Sequence, residues 1–118
     1  MKVVKPSGAK PVEDKRGLFF GGEAFRVPLV EKDMARGLTV TLVKFGPGGR
    51  NKMHTHSGEQ VLYVTEGKGI VATQTEEVTV TPGMVVYFPA GEPHWHGATP
   101  TTSFAHLSIM TQPSDIKF

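Results

Sequence analysis

Cysteine is absent from the 118 residues. That excludes disulfide staples, zinc fingers, cysteine-held iron–sulfur clusters and thiol nucleophiles. It is also compatible with a reducing compartment. Long apolar runs are missing too. The opening MKVVKPSGAK has no apolar stretch of the kind a secretory signal needs. No segment approaches the roughly 20 apolar residues of a membrane span. Charge of one sign is scarce: 13 Lys and Arg stand against 11 Asp and Glu, a net charge of +2. Most of the basic residues precede Met53 and acids dominate after it. The basic residues are scattered, however, and no groove-reading motif accompanies them, so neither nucleic acid nor membrane is expected as a partner. The expectation is a soluble, cytoplasmic chain. Its 118 residues suit a single domain, long enough to bury a core without staples.

What is present is a series of short strands and tight turns. Residues 1 to about 17 are rich in Lys, Pro and Gly and read as an extended lead-in, which reaches to about residue 24. Phe25 to Val30 reads as a first strand, and Glu31 to Arg36 as one helical turn. Leu38 to Phe45 alternates with Thr39 and Thr41, the period of a half-buried strand. Pro47-Gly48-Gly49 signals a turn. Further strands follow over Gln60 to Thr65, Gly69 to Gln74, Glu77 to Thr81, Met84 to Phe88, His94 to Ala98 and Ser103 to Met110. The tail after Thr111 has no pattern. Many short strands with no long helix predict an all-β sandwich or barrel. The glycines 48, 67, 69, 83 and 91 read as turn formers. They do not form a phosphate loop, because no strand–glycine–helix context surrounds them.

All five histidines lie after Met53: His54, His56, His94, His96 and His106. His54 and His56 are two apart, as are His94 and His96, so on strands each pair points to one face. Gln60 shares the parity of the first pair. Phe104, His106, Ser108 and Met110 share one face of the last strand. A closed small barrel sends alternate residues into its interior, so three such strands can converge on one internal point. Neutral imidazole is the commonest protein ligand for divalent first-row metals. The competing reading is a set of hydrogen-bonded core or surface histidines.

These stretches resemble a known family. Gly48-Gly49-Arg50-Asn51-Lys52-Met53-His54-Thr55-His56, then Gln60 and Gly67, is similar to the first cupin motif. Gly83 to His94, with Pro89 and Gly91 between, is similar to the second. The family often ends the second motif with Asn four residues after the His, where this chain has Ala98. The resemblance covers roughly residues 36 to 112. It implies a double-stranded β-helix, the jelly-roll cupin barrel, with its core over about 36–112 of a single cupin domain spanning 1–118.

Most cupins place Glu where this chain has Gln60. The HTHxxxQ variant, with GEPHWHGATPTTSFAHL downstream, resembles a narrower group that includes small manganese cupins with hydroxynitrile lyase activity. The resemblance implies one divalent transition metal per chain, manganese favoured and iron, zinc, nickel, cobalt or copper acceptable. Its ligands would be His54, His56, Gln60 and His94. His96 and His106 become pocket residues able to move a proton. Arg50 matches as well, without an evident role. Glu59 is the competing carboxylate, but it has the wrong parity for the lumen unless a bulge intervenes.

Three neutral imidazoles and a neutral amide leave the charge of a divalent ion uncompensated, which makes it the stronger Lewis acid. The reading that follows is a metal-dependent enzyme acting on a small oxygen-bearing substrate by lyase-like C–C cleavage or addition. The alternatives are a dioxygenase of a small enol or phenol, and a non-catalytic small-molecule-binding cupin. Open sheet edges and the family habit of pairing predict a homodimer or higher homo-oligomer. Trp95, between two lumen-facing histidines, should point outward into packing, and Tyr63 and Tyr87 also read as packing. Met53, Met110, Phe104 and Leu62 line an apolar pocket or belong to the ordinary core.

Overall fold

The computed structural model describes all residues, 1–118. Thirteen strands follow a 3₁₀ turn at Pro6–Gly8. They are β1 (Val12–Glu13), β2 (Phe19–Phe20), β3 (Ala24–Val30), β4 (Leu38–Phe45), β5 (Arg50–Asn51), β6 (Thr55–His56) and β7 (Gln60–Gly67). Then come β8 (Gly69–Thr73), β9 (Glu77–Val80), β10 (Val85–Phe88), β11 (His94–Ala98), β12 (Phe104–Thr111) and β13 (Ile116–Lys117). A six-stranded sheet runs β1-β3-β4-β12-β7-β10, and a five-stranded sheet runs β2-β5-β11-β8-β9. A third, two-stranded ribbon joins β13 to β6. Every pairing is antiparallel, and sequence-distant strands lie side by side as a jelly roll requires.

Alternation along each strand builds two faces. On β7, Gln60, Leu62 and Val64 are buried while Tyr63 is exposed. On β12, Phe104, His106 and Ser108 are buried on the inner face. The register between β12 and β7 shifts between Ala105 and His106, which leaves Thr65 without a partner residue. This bulge lets Phe104 sit opposite Gly67 and His106 opposite Val64 while both side chains stay inside. Gly67 has φ +74°, and a Cβ there would lie 2.0 Å from the Ser103 carbonyl oxygen. Only glycine fits that corner.

The inner faces meet in a core of Val43, Phe45, Leu62, Val64, Phe88 and Phe104 with smaller neighbours. Phe45 and Phe104 stack at 6.0 Å. This apolar layer forms a floor. Phe88 stacks on the His94 ring at 3.8 Å, and Phe45 lies 5.9 Å from the His106 ring.

Pairing reaches beyond the span read from sequence as barrel core. The lead-in contributes β1 and β2, which pair with β3 and β5. The patternless tail contributes β13, whose Ile116 pairs with His56. A two-residue strand carries no periodicity, so neither end was legible as structure. The expected turn after β3 is present as Met34 and Ala35 N–H groups donating to the Glu31 carbonyl.

Candidate metal centre

Three short elements bring the histidines together. His54 and His94 face each other across a β-bridge, exchanging two backbone hydrogen bonds of 3.0 Å. His56 is held from both sides: its strand pairs with β13, and its carbonyl accepts from Gly91 N–H at 2.8 Å. The side-chain nitrogens of His54, His56 and His94 lie within 4.8 Å of one another, and all three residues are buried.

The protonation pattern suits a cation. His54 Nδ1 lies 2.6 Å from the Lys52 carbonyl and His94 Nδ1 lies 2.8 Å from the Glu92 carbonyl. Each Nδ1–H therefore donates, which leaves Nε2 of both rings with a free lone pair. His56 Nε2 is buried without any partner. Gln60 Nε2 donates to Ser108 Oγ at 2.8 Å, and this turns Gln60 Oε1 toward His94 Nε2 at 3.0 Å. Two acceptor atoms thus face each other across 3.0 Å, an arrangement a positive ion between them relieves. The donor set fits a divalent transition metal. Burial lowers the His54 pKa to about 4 and the His56 pKa to about 3, and lowers that of His94 also. All three are ready as neutral ligands at pH 7.

Glu59 is excluded from this cluster. It is exposed on the outer face, where its carboxylate accepts from the Tyr87 hydroxyl and its backbone N–H donates to Thr111 Oγ1 at 2.9 Å. The strand parity is regular, and Gln60 is the inward residue.

A cavity of about 530 Å³ opens beside the histidines, and His96, His106, Ser108, Thr41 and Met110 reach it. His96 is engaged: Asn51 Nδ2 lies 3.2 Å from its Nε2, and its backbone N–H donates to Asn51 Oδ1 at 2.8 Å. His106 is different. It is fully buried, and neither ring nitrogen has a partner. Burial lowers its pKa to about 4. The His96 and His106 rings meet edge to face at 4.8 Å. Asn51 was missed in the sequence; its one signal was a polar residue inside a motif where the strand turns inward.

Other expectations divide. Trp95 points out of the lumen as expected, with the Arg50 guanidinium 3.5 Å above its ring, and Phe20 is the second aromatic under Arg50 at 5.1 Å. Arg50 thereby has a packing role on the outer wall. Met110 reaches the cavity, Leu62 and Phe104 belong to the core, and Met53 is exposed rather than pocket-lining. Tyr63 and Tyr87 are exposed on the outer face rather than packed.

A jelly roll carrying a buried histidine cluster beside a cavity that opens to the surface has the form of a cupin barrel. The chain belongs to the Cupin_2 family of cupin domains, whose family model matches residues 41–110. It is 39% identical over 104 residues to the (R)-mandelonitrile lyase of Granulicella tundricola, covering 87% of this chain and 76% of that one. A cupin-like protein from Thermotoga maritima superposes with a TM-score of 0.81 at 32% identity, over 87% of this chain and 81% of that one. The polyketide cyclase RemF from Streptomyces resistomycificus superposes with a TM-score of 0.83 at 26% identity, over 100% of this chain and 86% of that one.

Proposed function

We propose that this cupin is a metal-dependent, lyase-like enzyme that cleaves or forms a C–C bond next to a hydroxyl-bearing carbon, as in hydroxynitrile cleavage. His54, His56, Gln60 and His94 hold one divalent ion, with manganese the first choice. When bound, such an ion supplies Lewis acidity toward a hydroxyl or carbonyl oxygen. The observation that carries the reading is His106, buried in the same cavity wall with both ring nitrogens unspent. Neutral at pH 7, it accepts the proton of a substrate hydroxyl. The O–H pair becomes the carbonyl bond, and the C–C pair leaves with the departing carbon, cyanide in the hydroxynitrile case. His106 then passes that proton to the leaving carbanion, and the addition direction reverses both transfers. His96 is tied to Asn51 and serves as its edge-on neighbour. The aromatic floor of Phe45, Phe88 and Phe104 keeps water from below the reacting atoms. The similarity to a mandelonitrile lyase supports the same reading.

The test is benzaldehyde release from racemic mandelonitrile by manganese-loaded protein, measured above the buffer rate. His106→Gln should lower the rate by about 100-fold or more while metal content stays the same. No release above buffer, or an unaltered rate in the variant, overturns the assignment. Oxygen uptake with an enol substrate would instead place the cavity among dioxygenases.

A further inference from the structure

One wall of the cavity carries a feature the chemistry above does not use. Arg26 sits on β3 in the row that faces the lumen, with Pro28 and Val30 beside it and Val43 opposite. Val43 in turn pairs with His106 on β12. Arg26 is therefore two strand spacings from His106, about 10 Å of backbone separation, on the same inner surface. A charged residue in an otherwise apolar or small-polar row is costly without a partner.

Its partner is only half supplied. Asp14, whose side chain is 0% exposed, is committed first to Arg16. Arg16 Nε lies 3.1 Å from Oδ1 and 3.0 Å from Oδ2, and Arg16 Nη2 lies 2.6 Å from Oδ2. Arg26 Nε reaches the same Oδ2 at 2.9 Å, yet it is buried and makes no aligned hydrogen bond. Two guanidinium groups share one carboxylate, which leaves one positive charge over. Arg16 and Arg26 both line the cavity. The acids at its rim, Glu31 and Asp33, flank Lys32, are exposed, and form no ion pair with Arg26. A guanidinium presents paired N–H groups matched to a carboxylate.

We infer that Arg26, backed by the Asp14–Arg16 pair, anchors a carboxylate on the substrate, so that the cavity selects a hydroxyl compound bearing a carboxylate at its far end from His106. This rests on the reading of the cavity as a substrate pocket. The carboxylate docks on the Nη edge of Arg26 and the hydroxyl end lies toward the histidines.

The test uses manganese-loaded protein and two probes of equal shape, 4-(hydroxymethyl)benzoate and its neutral amide, with binding followed by calorimetry. The readout is the ratio of the amide Kd to the carboxylate Kd. In the unaltered protein the ratio should be about ten or more. Arg26→Gln should bring it to about one, and Arg26→Lys should restore part of it. Asp14→Asn removes the competing counter-charge and should raise the ratio above that of the unaltered protein, which keeps the inference testable if Arg26→Gln does not fold. A ratio near one at the outset overturns it. So does a high ratio that Arg26→Gln leaves in place, which would assign the carboxylate to the metal centre instead. Because the readout is binding, it stands apart from mandelonitrile turnover: turnover can fail while the ratio holds, and the reverse.

Discussion

At the scale of single residues, Gln60 would set the charge of the proposed metal centre. It is 4% exposed, and its oxygen faces His94 Nε2 while its nitrogen is spent on Ser108. Gln60→Glu adds a buried carboxylate to three neutral imidazoles. Metal affinity should rise by about tenfold or more, because a charge–charge term is added at low local dielectric. The ion becomes less acidic, so lyase-type turnover should fall. Chelator competition on both proteins, with Glu59→Gln as the comparison, checks this. Glu59 lies outside, so that variant should bind metal like the unaltered protein. A sharp loss in Glu59→Gln with no gain in Gln60→Glu would mean the register at position 60 is misread. The convergence of the histidines was legible in the sequence because imidazoles two apart on a strand share a face, while the choice of His54, His56, Gln60 and His94 as the candidate ligand set came from the resemblance to the cupin motifs. Arg26 was not, since a single Arg in a strand gives no sign of which face it takes. Asn51 was not either, because its partner His96 lies 45 positions away.

At the scale of elements, the eight strands of four or more residues were legible as short strand-and-turn segments, and β4 was read to the residue. The shorter ones were not, and one of them supports a candidate ligand. β13 pairs Ile116 with His56 and Lys117 with Thr55. The same tail gives the Asp115 carbonyl to Ser57 N–H at 2.9 Å, and Asp115 N–H to Ser57 Oγ at 2.8 Å. Without it, β6 keeps only the Gly91 contact and the His54 bridge. Ending the chain at Gln112 should therefore loosen His56 in particular. Metal affinity should fall by about tenfold, and thermal stability by only a few degrees, because the apolar core has no part in β13. Affinity equal to that of the full chain would show that β6 is held by the barrel alone. The edge strand β10 makes a second prediction. Val85 is 63% exposed and Tyr87 55%, with Tyr63 beside them on β7. An uncovered apolar edge of this kind favours self-association. Light scattering at micromolar concentration should report a dimer, and Val85→Lys should shift it toward monomer. A monomer at the outset would remove this edge as an interface.

At the scale of the whole molecule, five buried imidazoles make the metal-free fold sensitive to acid. All are held below the ordinary histidine value, chiefly by desolvation: His54 and His106 to about 4, His56 to about 3, His94 lower than usual and His96 well below. In the unfolded chain each takes up a proton near pH 6.5. The sign follows from linkage: between pH 6.5 and about 4 the unfolded state binds more protons, so stability falls as pH falls. Above pH 6.5 both states are neutral at these positions and the contribution is flat. For His106 alone, a shift from 6.5 to about 4 corresponds to about 3 kcal/mol lost across that window. The other four act in the same direction, though their mutual contacts keep the sum below five independent shares. The metal-free protein should therefore unfold on acidification somewhere between pH 6 and 4, while its stability between pH 7 and 8 hardly changes. A bound divalent ion adds to the folded state only, so the loaded protein should unfold at a lower pH than the metal-free one. Circular dichroism followed through an acid titration of both forms checks this. The His106→Gln variant, which carries one fewer titrating imidazole, should show a shallower slope. A midpoint below pH 3 for the metal-free protein, or the same slope in the variant, would mean that these rings are charged in the folded state and that the neutral-ligand account of the centre is wrong.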